Sequence, residues 1–160
     1  MKLIIGLGNP GRIYTESRHN IGFSVIKALS KVYKIPLKKD NNAFSLSGKG
    51  IIGGQGLALA LPLTFMNLSG IAASALIKKY KISLENLLVV CDDLDLGFGA
   101  MKIRPAGSSG GHRGLKSIIE SLGSEGFARL RIGIGRPMHR NIDMADYVLA
   151  SFSKKEKGEA

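Results

Sequence analysis

With 160 residues the chain has the size of one domain, residues 1–160, and no apolar run is long enough to span a membrane. A single cysteine, Cys91, excludes an internal disulfide framework and suits a reducing cytoplasm. The net charge of +11 favours an anionic partner, most commonly nucleic acid, over a cationic surface that merely aids solubility, because the excess is uneven, with eight Lys or Arg against two acids over residues 102–140.

Strands and helices are predicted to alternate along the first part of the chain. Residues 2–7 form a short apolar run typical of a buried strand, and apolar residues at helical spacing predict a helix over residues 19–33. Residues 38–42 are predicted to form a surface turn. Residues 43–47 and 57–61 are predicted to be strands of a hairpin, joined across a glycine-rich segment.

The same alternation continues to the end of the chain. A helix is predicted to run to about Lys79, with Thr64 or Asn67 as its cap. The later predicted elements are strands at residues 87–91, 100–104 and 129–135, helices at 115–122 and 143–151, and a charged tail at 154–160. The alternation predicts an α/β fold with a parallel or mixed sheet.

The loop at residues 6–20 contains the spacing G-x-G-x-x-G, which is found in dinucleotide-binding sites. That fingerprint requires a helix directly after the glycines and an acidic residue about 20 positions further on. Here Pro10 and a polar run come first, and residues 31–39 are basic. A nucleotide-dependent oxidoreductase is therefore a remote alternative.

His19, in this loop, and Asp92, after an apolar strand, are candidates for a general base and its partner. A carboxylate that accepts the Nδ1 proton of an imidazole fixes the tautomer and supports the cation formed on proton abstraction. Several alternatives remain open. His19 alone would more often be a structural residue, and Asp92 and Asp93 a solvated turn or cap; with Asp95 they would also suit a divalent cation.

The sequence offers no convincing nucleophile. Ser108 and Ser109 lie in a glycine loop without a G-x-S-x-G elbow, and Cys91 lies within an apolar strand. No Cys/His cluster has zinc spacing. A His–Asp pair without a nucleophile favours activation of water, which suits the hydrolysis of an ester.

Other polar residues suggest how a substrate could be held. Asn9 and Asn67 can both donate and accept hydrogen bonds, although each could instead be a turn or cap residue. Phe65 and Met66 could line an apolar pocket or belong to the core. The glycine loop at residues 107–114 could approach a phosphate or act as a mobile lid. Five basic side chains suit phosphate contacts, or else are solvated: Lys102, Arg104, Arg129, Arg131 and Arg136.

Taken together, the motifs resemble those of the bacterial peptidyl-tRNA hydrolase family. The blocks are G-L-G-N-P-G with T-E-S-R-H-N, P-L-T-F-M-N-L-S-G, D-D-L-D-L, G-G-H-R-G-L-K-S-I and R-L-R-I-G-I-G-R-P. They follow the order of that family over residues 3–149. The resemblance implies a single-domain, three-layer α/β/α sandwich with a twisted mixed sheet, generally monomeric, and an esterase that releases peptides from the terminal ribose of tRNA.

The resemblance also implies roles for individual residues. His19 would be the general base and Asp92 its orienting partner. Substrate would be bound by Asn9, Tyr14, Phe65, Met66, Asn67, His112 and Arg113, and tRNA phosphates by Lys102, Arg104 and Arg131. No metal or organic cofactor is implied, and the expected partner is peptidyl-tRNA in the cytoplasm rather than a membrane.

The chain departs from the family pattern at three places. Arg113 replaces a usual Asn, which puts a fixed cation in place of a neutral amide at that subsite, and Leu61 replaces a usual Lys. The chain also ends at Ala160, before a usual C-terminal helix, from which we expect weaker tRNA binding. A non-catalytic RNA-binding relative, such as an intron-splicing factor, is the alternative function, and hydrolysis of N-blocked aminoacyl-tRNA separates the two.

Overall fold

A seven-stranded mixed sheet organises residues 1–137 and 143–152, the part of the chain that the computed structural model describes. Its strands are β1 (Lys2–Gly6), β2 (Lys38–Asp40), β3 (Ser45–Ile52), β4 (Gln55–Pro62), β5 (Leu87–Asp93), β6 (Met101–Arg104) and β7 (Ala128–Gly133). Their spatial order is β2-β3-β4-β1-β5-β7-β6. The four central strands β4, β1, β5 and β7 are parallel, and the outer strands are antiparallel to their neighbours.

Helices cover both faces of this sheet, which confirms the predicted α/β sandwich. The helices are α1 (Ile21–Val32), α2 (Ser69–Tyr80), α3 (Arg113–Leu122) and α4 (Met144–Leu149). Apolar residues of α2 and α3 pack with one face of β1, β4 and β5, and those of α1 pack with the other face of β4. Within the described residues, no helix combines the length and apolar character needed to cross a bilayer.

The first helix approaches the sheet unusually closely, and this contact positions the site. A Cβ on Gly6 would lie 2.2 Å from the carbonyl oxygen of Gly22, and a Cβ on Gly22 would lie 2.5 Å from Val90 O. The two glycines therefore let the start of α1 rest directly on β1 and β5. The residues just before α1 are consequently brought beside the carboxyl end of β5.

The structure corrects the prediction for the first hairpin. Strands β3 and β4 extend through most of the glycine-rich segment, and the turn is confined to Gly53 and Gly54. Gly48 lies within β3, and the Pro36 backbone packs where a side chain would be; a Cβ there would lie 2.1 Å from the Pro36 carbonyl oxygen. The predicted surface turn at residues 38–42 begins with a short strand, β2.

Other predicted elements agree with the structure to within a few residues. The cap of α2 is an exception, because Leu68 occupies the cap position and no side chain caps the helix. The predicted roles of Thr64 and Asn67 as caps are therefore wrong. The tail predicted at residues 154–160 lies outside the described residues, and a single domain over residues 1–160 stays a prediction.

Candidate active site

A cleft of about 530 Å³ lies at the carboxyl ends of the central strands. This is where ligands gather in open α/β sheets. Its lining combines carboxylates, imidazoles, amides and arginines with a few apolar side chains. The lining includes Asn9, His19, Phe65, Met66, Asn67, Asp92, Asp93, Asp95, His112, Arg113, Arg131, Arg136, Met144, Val148 and Leu149.

The predicted contact between His19 and Asp92 is present. His19 lies in a short 3-10 helix (Arg18–Asn20) directly before α1, and Asp92 lies near the end of β5. His19 Nδ1 is 2.7 Å from Asp92 Oδ1, although 73 residues separate them in sequence. An ionised carboxylate can only accept, so Nδ1 carries the proton and Nε2 keeps its lone pair.

Asp92 has a second imidazole partner. His112 Nε2 lies 2.8 Å from the same oxygen, Oδ1, and the two rings are 4.9 Å apart. Asp92 is only 3% exposed, and this burial raises its pKa. Electrostatic attraction and a hydrogen bond from His112, followed by those from His19, outweigh burial and bring the pKa of Asp92 below its usual value. Asp92 is therefore a carboxylate at neutral pH.

The loop that carries His19 is anchored by the last described segment of the chain. The Arg18 guanidinium lies 4.2 Å from the Tyr147 ring centre and donates to the carbonyl oxygens of Tyr147 and Ala150. The Arg18 amide also donates to Ala150 O at 3.0 Å. Tyr147 in turn donates its hydroxyl to Ile134 O, after β7. Helix α4 is thus tied both to the sheet and to the residue before His19.

Asn9 occupies the floor of the cleft in a fixed orientation. Its backbone exchanges hydrogen bonds with the Asn20 carboxamide at 2.8 and 2.9 Å, and its Oδ1 accepts from Met66 N at 2.7 Å. Because the side-chain oxygen is committed to Met66, the amide nitrogen is the end that Asn9 can present to a ligand.

Two arginines of β7 hold the glycine loop beside the cleft. Arg129 is fully buried and donates to the carbonyl oxygens of Ser108, Glu125 and Phe127. Arg131 also donates to Ser108 O and lies 3.5 Å from Asp93 Oδ2. Both side chains therefore fix the loop that leads to His112.

His19, Asp92 and His112 are residue types that bind transition metals, and their nitrogen and oxygen atoms lie within 4.8 Å of one another. One nitrogen of each ring, His19 Nδ1 and His112 Nε2, is nevertheless at hydrogen-bonding distance from the same carboxylate oxygen. An ion that bound all three groups would have to break both hydrogen bonds. The geometry favours a hydrogen-bonded cluster.

Comparison with known proteins agrees with this architecture. The sequence model of the peptidyl-tRNA hydrolase family matches residues 3–160. The chain belongs to the peptidyl-tRNA hydrolase family. The peptidyl-tRNA hydrolase of Desulforudis audaxviator is 49% identical over 98% of this chain and 78% of that protein. The one from Bacillus subtilis is 47% identical over 99% and 84%.

A solved structure of a peptidyl-tRNA hydrolase has the same fold. The crystal structure from Acinetobacter baumannii superposes with a TM-score of 0.92 at 39% identity, covering 98% of this chain and 79% of that one. The fold expected from the resemblance to peptidyl-tRNA hydrolases is therefore confirmed. Membership of this family also makes the chain an enzyme.

Most residues predicted to form the peptidyl-tRNA hydrolase site line the cleft, but three do not. Lys102 and Arg104 are exposed on the edge strand β6, and Tyr14 is half-buried in a 3-10 turn after β1, outside the cleft lining. The prediction that Arg129 suits a phosphate contact is wrong, because its guanidinium is buried. Arg136 lines the cleft but is paired with Asp95.

The structure also argues against a dinucleotide-binding loop at the first glycines and against a reactive thiol at Cys91. After the glycines of the first loop the chain forms a 3-10 turn (Arg12–Tyr14), and the first α-helix begins only at Ile21, unlike a dinucleotide-binding loop. Burial raises the pKa of the Cys91 thiol to about 12, so this cysteine is a protonated core residue.

Sequence reasoning missed the anchoring role of Arg18 and the contact between His112 and Asp92. Arg18 gave no signal, because its partners lie more than a hundred residues away in sequence. His112 directly precedes a helix, and this position could have indicated a cap.

Proposed function

We propose that the chain hydrolyses the ester between a peptide and the terminal ribose of tRNA, with His19 as the general base. The contact that carries this proposal is the hydrogen bond between His19 Nδ1 and Asp92 Oδ1. It leaves Nε2 of His19 as the basic nitrogen in a cleft that has room for an ester.

The reaction then needs two proton movements. His19 Nε2 takes a proton from water as the water oxygen attacks the ester carbonyl, and the imidazolium returns it to the departing ribose oxygen. The buried Asp92 carboxylate stabilises the imidazolium and keeps the ring in one orientation. An alcohol leaves more readily than an amine, so this pair needs no covalent nucleophile.

The cleft lining supports a division of the substrate among several side chains. The amide of Asn9 and the exposed amide of Asn67 would orient the carbonyl or the water, and Phe65 and Met66 would contact the peptide. His112 and Arg113 would border the end of the tRNA. Tyr14 would act only if the substrate extends beyond the cleft.

A path of positive charge leads from the cleft to the edge of the sheet. In the pairing of β6 with β7, Lys102 lies opposite Arg131 and Arg104 lies opposite Arg129, so these side chains share one face. Arg131 lines the cleft, whereas Lys102 and Arg104 are exposed. We infer that tRNA phosphates follow this path, with the protein acting as a monomer in the cytoplasm.

Hydrolysis of N-acetyl-aminoacyl-tRNA, measured beside free aminoacyl-tRNA, tests the proposed function. We expect rapid release of tRNA from the N-acetylated substrate and slow release from the free one, because a charged amine is costly to place in an amide-lined and apolar cleft. Binding of tRNA without hydrolysis of either substrate would instead support the RNA-binding alternative and overturn the proposal.

A further inference from the structure

Both ring nitrogens of His112 have partners, and these partners fix its tautomer. Nδ1 lies 3.1 Å from the backbone nitrogen of Gly114 and 3.3 Å from that of Leu115, at the N-terminus of α3. Backbone N–H groups only donate, so Nδ1 must be the unprotonated acceptor. The proton of the neutral ring is therefore on Nε2, which faces Asp92 Oδ1 at 2.8 Å.

Histidine is an uncommon helix cap, and here the cap has a second consequence. Because α3 holds Nδ1, the ring is oriented so that its other N–H points at the buried carboxylate. Gly114 makes this approach possible, since a Cβ there would lie 2.5 Å from Met66 Sδ and 3.1 Å from His112 Cε1. The N-terminus of α3 is in this way coupled to Asp92 through one imidazole.

Asp92 Oδ1 thus receives two N–H donors, one from each imidazole. Together the two hydrogen bonds restrain the orientation of the carboxylate, and both rings interact with its negative charge. With His19 as the only donor, the carboxylate would lose one of the two hydrogen bonds that restrain Oδ1, and its charge would act on His19 more strongly.

We propose that His112 is a positioning residue of the reaction, which fixes the Asp92 carboxylate and limits the negative charge that this carboxylate directs at His19. The inference rests on the proposed role of His19 as the base. His112 acts through Asp92, and this role is separate from any contact it makes with the substrate.

Other charged groups near the cluster are largely neutralised by pairing. Among the residues that line the cleft, Asp93 is paired with Arg131 and Asp95 with Arg136. Arg113 also lines the cleft, at the start of α3. Of these, Asp93 follows Asp92 directly in β5 and has its charge balanced by Arg131. Apart from the direct contact between the two rings, whose centres are 4.9 Å apart, changes at His112 should therefore be transmitted mainly through Asp92.

Two substitutions separate the helix cap that His112 forms on α3 from its hydrogen bond to Asp92. In His112→Asn the side-chain oxygen replaces Nδ1, so the cap is kept, but the side chain is too short to reach Asp92. In His112→Gln the amide nitrogen replaces Nε2, so the donor to Asp92 is kept and the cap is lost. Ser117→Ala is a matched control, because it removes a hydrogen bond between α3 and Gly70 without touching the cluster.

For His112→Asn we expect kcat/KM on N-acetyl-aminoacyl-tRNA to fall about tenfold, mainly in kcat, and Tm to fall by about 2–4 °C because the buried Asp92 carboxylate loses a donor. The acidic limb of its pH–rate profile should move to higher pH, because Asp92 then holds the imidazolium of His19 more tightly. For His112→Gln and Ser117→Ala we expect Tm to fall by about 2–4 °C while the acidic limb keeps its wild-type position.

A wild-type rate and pH profile in His112→Asn would overturn the inference, as would an equal loss of kcat in the Gln variant. Either result leaves the proposed function intact, whereas an inactive wild-type protein would overturn the proposed function itself. Long-range proton–nitrogen NMR correlations of the imidazole rings give a readout independent of activity. We expect the proton on Nε2 in His112 and on Nδ1 in His19, and a proton on Nδ1 of His112 would also overturn the inference.

Discussion

The carboxyl end of β5 and the edge strand β6 both carry charged residues, but they use the charge in opposite ways. Asp92 is buried, and its charge is held by two imidazoles at 2.7 and 2.8 Å. Lys102 and Arg104 on β6 are exposed. The first arrangement is suited to fixing a reacting group, and the second to attracting a long anion from solution.

Arg129 shows that sequence position alone does not separate these two uses. It lies opposite Arg104 across the pairing of β7 and β6, yet its guanidinium is fully buried and bonded to carbonyl oxygens. Two arginines that lie opposite each other in one strand pairing therefore differ, because Arg129 is buried and Arg104 is exposed to solvent. The predictions below test this contrast.

Apart from changes to His19 itself, Asp92→Asn should have the largest effect on activity. The neutral amide cannot stabilise an imidazolium, so we expect kcat on N-acetyl-aminoacyl-tRNA to fall by at least about 10²-fold. The affinity for tRNA should stay close to that of the wild type, because β6 is unchanged. Asp95→Asn is the control, since Asp95 is exposed and paired with Arg136, and it should lose far less activity. Equal losses in the two variants would contradict a special role for Asp92.

Arg129→Met should destabilise the fold strongly. It removes the donors to the Ser108, Glu125 and Phe127 carbonyls, and we expect the free energy of unfolding in urea to fall by about 3 kcal/mol. Arg104→Met, at the exposed position across the strand pair, should change it by less than about 0.5 kcal/mol. Similar stabilities of the two variants would show that burial does not distinguish these arginines.

Arg104→Ala should act on binding rather than on stability. We expect weaker affinity for tRNA and a decrease of about one in the slope of log affinity against log salt concentration. Lys49→Ala on β3, near the opposite edge of the sheet, is the matched control and should leave the slope unchanged. If both variants retain the wild-type slope, β6 is not the phosphate-binding edge.

The smallest effect that we expect is the contribution of the Asp92 carboxylate to the pH dependence of the free energy of unfolding. Because its pKa is lower in the folded protein than in the unfolded chain, the unfolded state binds the proton first as pH falls. The contribution is complete above about pH 4 and is lost progressively below that value. Urea unfolding across this range should show a shallower acid loss for Asp92→Asn than for wild type, and parallel curves would contradict the lowered pKa.

Much of the fold could be predicted because periodicity and strand ends are local signals. The buried strand β5 and the helices α1 and α3 follow from apolar spacing alone. The extension of β3 through glycines could not be predicted, because it depends on Pro36 packing against Gly48. That contact is tertiary, and a glycine-rich segment by itself favours a turn.

The site could be predicted where the chemistry is carried by residue type, and not where it depends on packing. The pairing of His19 with Asp92 follows from the carboxyl-end rule for α/β sheets and from the family motifs. The contact of His112 with Asp92 could not be predicted, because it depends on His112 capping α3. The burial of Arg129 could not be predicted either, because it depends on the contact of its guanidinium with the glycine loop.

The most direct test of His19 as the base is single-turnover hydrolysis of N-acetyl-aminoacyl-tRNA by His19→Ala, with tRNA affinity measured on the same preparation. We expect the rate to fall by at least about 10³-fold while affinity stays close to wild type, because in the proposed mechanism the imidazole moves the proton and the β6 edge binds the tRNA. A rate within about tenfold of wild type would contradict the assignment of His19 as the base.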